Sequence, residues 1–141
     1  MKPTHIIIHH STTRDSESFS WGAIRRYHTA TLGWRDIGYH FGIELVGEYY
    51  EVLQGRLPNE SGAHCVAEAM NNRALGICCV GDFDLEEPPD RQWQVCLNLV
   101  RYLTEQYRIP AGHVLGHGEV AADGRTCPGR NFDMKLFRAL L

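Results

Sequence analysis

Two histidines and one cysteine follow apolar or turn-rich stretches, and their side chains are typical zinc ligands. His9 ends a run of three isoleucines, His117 follows a short apolar run, and Cys127 lies in a loop rich in glycine and proline. Three protein ligands leave the fourth position of a tetrahedral zinc ion for water, which is the catalytic arrangement. The spacing contains no compact pair such as C-x-x-C or H-E-x-x-H, so it does not identify a metal site by itself.

The cysteine pattern favours reduced thiols. The chain has five cysteines, and an odd number without a signal-peptide pattern argues against a disulfide framework. Cys78 and Cys79 are adjacent in an apolar run, so a strand would direct them to opposite faces, and Cys96 lies in a helical pattern. We interpret these three as small buried hydrophobic residues. Cys127 lies in a polar loop, where burial does not account for a thiol.

Size and composition predict a single globular domain. The chain has 141 residues, of which 43% are hydrophobic and 22% charged. The net charge of −3 gives no reason to expect a nucleic-acid partner or an anionic membrane surface. No apolar run approaches the roughly 20 residues of a membrane helix. The first residues lack the apolar region and cleavage site of a signal peptide, so we expect synthesis in the cytoplasm.

The order of predicted strands and helices is typical of an α/β fold. Apolar and β-branched runs predict strands at 5–9, 39–45, 49–53, 74–80 and 114–116. Helical spacing predicts helices from 21 to about 33, at 91–107 and at 132–141, with Ser20 and Asp90 as N-caps. The second and third strands form a hairpin, and the loops at 54–72 and 118–130 connect later elements. We therefore expect a central mixed β-sheet flanked by helices.

Several ordered blocks of residues resemble one known family, and together they cover nearly the whole chain. The resemblance is to the zinc-dependent N-acetylmuramoyl-L-alanine amidases, the type-two amidase family. That family includes phage lysozyme-type endolysins, bacterial anhydromuropeptide amidases and animal peptidoglycan recognition proteins. The blocks are IIIHHS at 6–11, WRDIGYHF at 34–41, GAH at 62–64, NRALGICCVG at 72–81, GH at 116–117 and TCPG at 126–129.

The resemblance implies one catalytic domain over residues 1–141, with a zinc ion bound by His9, His117 and Cys127. One thiolate and two neutral imidazoles suit zinc and leave enough positive charge to lower the pKa of a bound water toward about 7. His10 faces the other side of its strand and would pack or hydrogen-bond elsewhere. The substrate implied is peptidoglycan, cut between N-acetylmuramic acid and L-alanine. We expect a monomer.

Two further residues are implied to act on the reacting carbonyl. Tyr39 matches the active-site tyrosine of the family, whose hydroxyl would orient the water or hydrogen-bond the tetrahedral intermediate; the alternative is aromatic packing. Arg125 stands where phage-type relatives have a lysine and animal relatives a threonine. As a permanent cation it would stabilise the oxyanion without carrying protons, and the alternative is a solvated loop arginine.

Trp34 and His64 match positions that line the substrate groove of the family. Their alternative role is packing or loop anchoring. Anhydromuropeptide amidases carry a glutamate, a candidate base, in the strand where this chain has Cys78 and Cys79. That departure shifts the resemblance toward the phage branch and leaves the general base unassigned.

The leading interpretation is a phage or prophage endolysin, which would reach peptidoglycan in the host periplasm after the membrane is permeabilised. A bacterial wall-recycling enzyme is one alternative. A second is a non-cleaving peptidoglycan-binding module, although such relatives typically lose the cysteine ligand. A third is a cysteine hydrolase with Cys127 as nucleophile and His117 as base. The loop position of Cys127, away from a helix N-terminus, disfavours the last.

Overall fold

A mixed β-sheet of five strands forms the centre of the computed structural model, which describes residues 1–13 and 21–141. The strands are β1 (His5–His10), β2 (Phe41–Val46), β3 (Tyr49–Gln54), β4 (Ala74–Cys79) and β5 (Val114–Gly116). Their order across the sheet is β3-β2-β4-β1-β5. β1 runs parallel to β4 and β5, β2 runs parallel to β4, and β3 pairs antiparallel with β2. The predicted α/β class, with its hairpin, is confirmed.

Helices of very different length connect and cover the strands. The helical segments are α1 (Trp21–Arg26), α2 (Asp90–Tyr107), α3 (His117–Ala121), α4 (Met134–Ala139), a π-helical turn at Tyr27–Thr31 and 3₁₀ turns at Ala67–Asn72 and Ala111–His113. Across the part of the chain that the structure describes, no helix is both long and apolar enough to cross a membrane.

The two central strands are buried on both faces, as parallel strands usually are. All six residues of β4 and the last five of β1 are buried. The amphipathic helix α2 covers one face through Leu97, Val100 and Leu103. Cys79 belongs to that core cluster, whereas Cys78 belongs to a separate one on the α1 side. The adjacent cysteines therefore face opposite ways, as the strand pattern predicts.

The helix starts differ in part from the prediction. Asp90 is not an N-cap: it is the first residue of α2, and Pro89 occupies the cap position without a side-chain hydrogen bond. The predicted cap of α1, Ser20, lies outside the described residues. The helix predicted from residue 21 to about 33 is α-helical only to Arg26 and then widens into the π-helical turn.

Several later helix and strand boundaries also differ from the predicted ones. The last helix begins at Met134 instead of Phe132, because the Asp133 side chain caps it by accepting from the Leu136 amide at 2.9 Å. The predicted loop 118–130 starts inside the short helix α3. The strand predicted from Tyr39 begins two residues later, at the first residue of β2.

The register of the parallel strands explains why residues distant in sequence meet. Ile8 of β1 pairs with Gly116 of β5, so His9 and His117 lie one step beyond this pair at the same edge of the sheet. Neighbouring strands are about 4.8 Å apart. Ligands bind at this carboxyl-terminal edge in many parallel α/β sheets. The loop after α3 brings Cys127 to the same edge.

Candidate metal centre and active site

His9, His117 and Cys127 form a compact group of possible metal ligands, which we call the candidate metal group. One side-chain ligand atom from each residue lies within 4.8 Å of the others. The Cys127 Sγ is 3.7 Å from the His9 Nδ1, and the ring centroids of His9 and His117 are 4.6 Å apart. A tetrahedral zinc ion with ordinary bond lengths separates its nitrogen and sulfur ligands by about 3.5 Å. The three residues therefore fit a zinc ion.

Hydrogen bonds on both sides of Cys127 hold its loop in place. Asp84 accepts from the Thr126 hydroxyl at 2.7 Å and from the Arg130 amide at 2.9 Å. The Gly118 amide donates to the Cys127 carbonyl at 2.7 Å. A Cβ at Gly118 would lie 2.3 Å from the Arg125 carbonyl oxygen, so only glycine permits this contact. The loop is thus anchored to the segment after β4 and to α3.

The side chain of Glu119 fixes the start of α3, where His117 is the first residue. It accepts from the Gly116 amide at 2.7 Å. It also forms a two-point ion pair with Arg138 of α4, with distances of 2.8 and 2.9 Å. The Arg138 guanidinium additionally donates to the Val114 carbonyl at 3.1 Å. α4 therefore supports the backbone that presents His117.

His10 points away from the candidate metal group, as predicted. Its Nδ1 accepts from the Phe83 amide at 3.1 Å, and the two rings stack with centroids 5.9 Å apart. This hydrogen bond to the backbone gives His10 a structural role. Of the His9-His10 pair, only His9 is available to the group.

The surroundings keep all three members of the candidate metal group uncharged in the absence of a metal. Burial, and then the neighbouring rings of His64 and His117, hold the pKa of His9 well below its usual value. Burial and Arg125 lower the pKa of His117. Burial raises the pKa of the Cys127 thiol to about 11. Neutral imidazoles are ready ligands, and a bound metal would have to displace the thiol proton.

The raised pKa of Cys127 also bears on the cysteine-hydrolase alternative. A nucleophilic cysteine needs a lowered pKa so that its thiolate is populated near neutral pH. Here burial shifts the pKa the other way, to about 11. The site is therefore poorly suited to cysteine catalysis without a metal.

Tyr39 lies beside the candidate metal group. Its ring centroid is 5.2 Å from that of His9, and it lines the same groove. Burial raises the pKa of the phenol well above its usual value, and the nearby thiols of Cys78 and Cys127 add to the shift. The hydroxyl therefore stays protonated at neutral pH and is a hydrogen-bond donor, with the Cys78 thiol as its partner within the fold.

Arg125 lies at the outer edge of the candidate metal group but is not a free cation. Its guanidinium donates to the His117 Nε2 at 3.1 Å. It also forms a two-point ion pair with Asp123, whose shortest distance is 2.6 Å. These hydrogen bonds hold the pKa of Asp123 down to about 2. The sequence prediction did not include Asp123, although a carboxylate two residues before the arginine was a visible local signal.

Trp34 and His64 line the same groove, in different surroundings. The groove has a volume of about 1020 Å³ and extends along the candidate metal group. Trp34 is 37% exposed and lies 4.6 Å from the His28 ring, at the groove wall. His64 instead hydrogen-bonds to His9, with 3.0 Å between the His64 Nδ1 and the His9 Nε2. Burial, and then His40, lower the pKa of His64 to about 3.

The remaining groove residues were not predicted from the sequence as site residues. Among the described residues, Asp123 contributes the groove's single carboxylate, and Arg125 already pairs with it. Besides His10, the other lining residues are mostly small or uncharged: Thr12, His28, Ala63, Cys65, Val66, Ala67, Asn71, Ala121 and Gly124. Within the described part of the chain, the groove thus offers hydrogen-bonding and apolar surface next to the candidate metal group, without an unpaired acidic base.

Comparison with known proteins identifies the family. Residues 1–130 match the family model described as N-acetylmuramoyl-L-alanine amidase. The solved structure of N-acetylmuramoyl-L-alanine amidase LysC from Clostridium intestinale superimposes with a TM-score of 0.82 at 32% identity. That superposition covers 98% of this chain and 84% of the LysC chain.

Two curated relatives come from very different sources. The endolysin of Escherichia phage T7 is 35% identical over 136 residues, which is 92% of this chain and 82% of the endolysin. Peptidoglycan-recognition protein LB of Drosophila melanogaster is 35% identical over 133 residues. That match covers 89% of this chain but only 54% of the longer Drosophila protein. With the family model matching most of its length, this chain belongs to the N-acetylmuramoyl-L-alanine amidase family.

Proposed function

We propose that this protein is a zinc-dependent N-acetylmuramoyl-L-alanine amidase, formed by one catalytic domain over residues 1–141. It hydrolyses the amide bond between the lactyl group of N-acetylmuramic acid and L-alanine in peptidoglycan. The observation that carries the proposal is the complete group of His9, His117 and Cys127, with spacing that suits tetrahedral zinc. The family match supports the reaction type.

The residues around the candidate metal group have separate tasks in this proposal. A bound zinc ion supplies Lewis-acid polarisation and a water whose pKa falls toward about 7. Tyr39 remains a neutral donor and hydrogen-bonds the oxygen of the attacked carbonyl as negative charge develops there. Arg125 adds positive charge at the outer edge, and Asp123 determines where its guanidinium lies.

The groove would bind the peptide stem and sugar next to the scissile amide. Trp34 offers an exposed aromatic face at the groove wall. His64 lines the groove, but both of its ring nitrogens already take part in hydrogen bonds within the chain. Trp34 is therefore the better candidate for direct substrate contact.

We further propose an endolysin role, with the protein acting as a monomer on periplasmic peptidoglycan after the membrane is permeabilised. The phage T7 endolysin matches this chain over 82% of its own length, which supports that role. The second candidate is a peptidoglycan-binding module without activity. The observation that favours it is the match to a peptidoglycan-recognition protein, and the intact cysteine ligand weighs against it.

Metal analysis combined with product analysis tests the proposal. Purified protein should contain about one zinc per chain, release new L-alanine amino termini from peptidoglycan, and lose activity to a chelator until zinc is returned. New reducing sugar ends would indicate a glycosidase instead. Binding of peptidoglycan without cleavage by zinc-loaded protein would establish the binding module. Full activity of a demonstrably metal-free protein would refute zinc dependence.

A further inference from the structure

We propose that His64 is a positioning residue that holds His9 in the tautomer a metal ion requires. The proposal rests on the zinc site proposed above and assigns His64 a role other than substrate contact. It follows from a chain of three contacts that runs from a backbone carbonyl through two imidazole rings to Cys127.

The direction of the hydrogen bonds follows from the first contact. The Nε2 of His64 is 3.2 Å from the Ala74 carbonyl oxygen, which can only accept, so this nitrogen carries the proton. In a neutral ring the other nitrogen, Nδ1, is then an acceptor.

The second contact transmits that choice to His9. The His64 Nδ1 accepts, so the His9 Nε2, 3.0 Å away, must donate. The His9 Nδ1 is then unprotonated, and its lone pair accepts from the Cys127 thiol at 3.7 Å, the proton that a bound metal would replace. A metal-bound histidine is oriented by the hydrogen bond of its other nitrogen in the same manner.

The structure holds the His64 ring rigidly. The amides of His64 and Cys65 both donate to the Asn71 side chain, at 2.7 and 2.8 Å. A Cβ added at Gly76 would lie 2.6 Å from the His64 ring, and one at Gly62 would lie 2.5 Å from it. Two glycines thus leave just enough space for this imidazole, which meets His9 edge to face with centroids 5.0 Å apart.

Substitutions that separate the acceptor from the bulk of the ring test the role of His64. His64→Leu removes both nitrogens, His64→Asn keeps an acceptor near the Nδ1 position, and His64→Gln keeps a polar group only near the Nε2 position. His64→Leu should weaken zinc binding by about 10–100-fold. His64→Asn should recover most of that loss and His64→Gln little of it. Zinc affinity is measured as zinc retained by the loaded protein against increasing concentrations of a chelator of known affinity.

Two matched controls and a second route to the same disturbance complete the affinity test. His113→Leu removes an exposed histidine outside the groove and should leave zinc retention unchanged. Gly76→Ala should displace the His64 ring and weaken zinc binding, whereas Gly112→Ala, which has open space around it, should not. Wild-type zinc retention in both His64→Leu and Gly76→Ala would overturn the proposal. Equal affinity in His64→Asn and His64→Gln would also overturn it, because the acceptor position would then be irrelevant.

Nitrogen-15 NMR of the histidine rings gives a direct readout that does not depend on activity. In the zinc-loaded protein the His9 ring should show a protonated, slowly exchanging Nε2 and a metal-shifted Nδ1. The opposite assignment would overturn the proposal even if every variant folded poorly. A wild-type protein that binds no zinc at all would instead refute the proposed function, and the His9 tautomer measured without metal would still decide the role of His64.

Discussion

The two sides of the candidate metal group are built from different physical interactions. On the inner side, His9 is 2% exposed and contacts His64 through neutral hydrogen bonds that end on a backbone carbonyl. On the outer side, His117 is half-buried and contacts Arg125, which pairs with Asp123. The inner side fixes the orientation of the His9 ring, because buried hydrogen bonds between neutral groups leave the ring little freedom to rotate. The outer side presents charge to the groove, where it can meet a polar substrate.

Removing a proposed zinc ligand should have the largest effect, because the activated water of the proposed mechanism requires the metal. Cys127→Ser replaces a soft thiolate ligand by a weak neutral one, so zinc content and amidase activity should both fall below detection. Elemental analysis and release of L-alanine amino termini measure the two losses. Cys96→Ser, on the buried face of α2, is the control for losing a thiol and should keep its zinc. Retained zinc in Cys127→Ser would contradict the assignment of Cys127 as a ligand.

Changing the charge on the outer side should reduce catalysis without releasing zinc. Arg125→Ala should lower kcat by about 10²-fold with zinc content unchanged, because the cation acts mainly on the developing oxyanion. Arg125→Lys should recover much of the rate. Because arginine stays protonated at all accessible pH values, the basic limb of the wild-type pH profile comes from another group. That limb should therefore persist in Arg125→Lys. A near-normal kcat in Arg125→Ala would identify a solvated loop residue and leave oxyanion stabilisation to Tyr39 and zinc.

Acid should lower the free energy of unfolding, because buried histidines on the inner side are neutral in the folded protein. The His40 Nδ1 accepts from the Gly76 amide at 3.0 Å, and burial lowers the pKa of His40. The unfolded chain binds its proton below about pH 6.5. The contribution of His40 to the free energy of unfolding should therefore be constant above that pH and fall as the pH drops toward its folded-state pKa.

Replacing His40 with asparagine tests this pH dependence. His40→Asn retains an acceptor for the Gly76 amide and removes the titrating group. The slope of unfolding free energy against pH should become shallower by at most about 1.4 kcal/mol per pH unit, the value for one proton. The slope is measured by denaturant unfolding at several pH values between about 7.5 and about 5, with a chelator in every sample. An unchanged slope would mean that His40 does not cause the acid sensitivity.

The smallest predicted effect concerns the tether of Arg125. Asp123→Asn removes the ion pair but leaves the cation, so kcat should fall by at most about fivefold, the range for exposed pairs. The loss should shrink at high salt, which screens the pair in the wild type as well. Steady-state kinetics of wild type and variant at low and high salt measure it. A loss as large as that of Arg125→Ala would show that the guanidinium has no function without its partner.

Local patterns in the sequence predicted the sheet, and the resemblance of its motif blocks to a known family implied the members of the candidate metal group. A β-branched run marked β1 and a short apolar run marked β5, and each led into a histidine. Cys127 was distinguished by its polar loop and by the family blocks around it. Boundaries were predicted less well: α3 begins directly at His117, where Glu119 at the third helical position accepts from the Gly116 amide, a local signal that the prediction did not use.

The sequence by itself determined the residue types of the site and the strands that carry them, since periodicity and short motifs act within a few residues. The tertiary structure alone decided which nitrogen of His9 faces Cys127. That choice depends on His64, which is 55 residues away in the chain, and on a carbonyl of β4 that orients it. The tertiary structure likewise decided that the guanidinium of Arg125, predicted from the sequence as a permanent cation, is tethered to Asp123. Hydrogen-bond direction depends on atomic positions, and packing of the whole chain sets those positions.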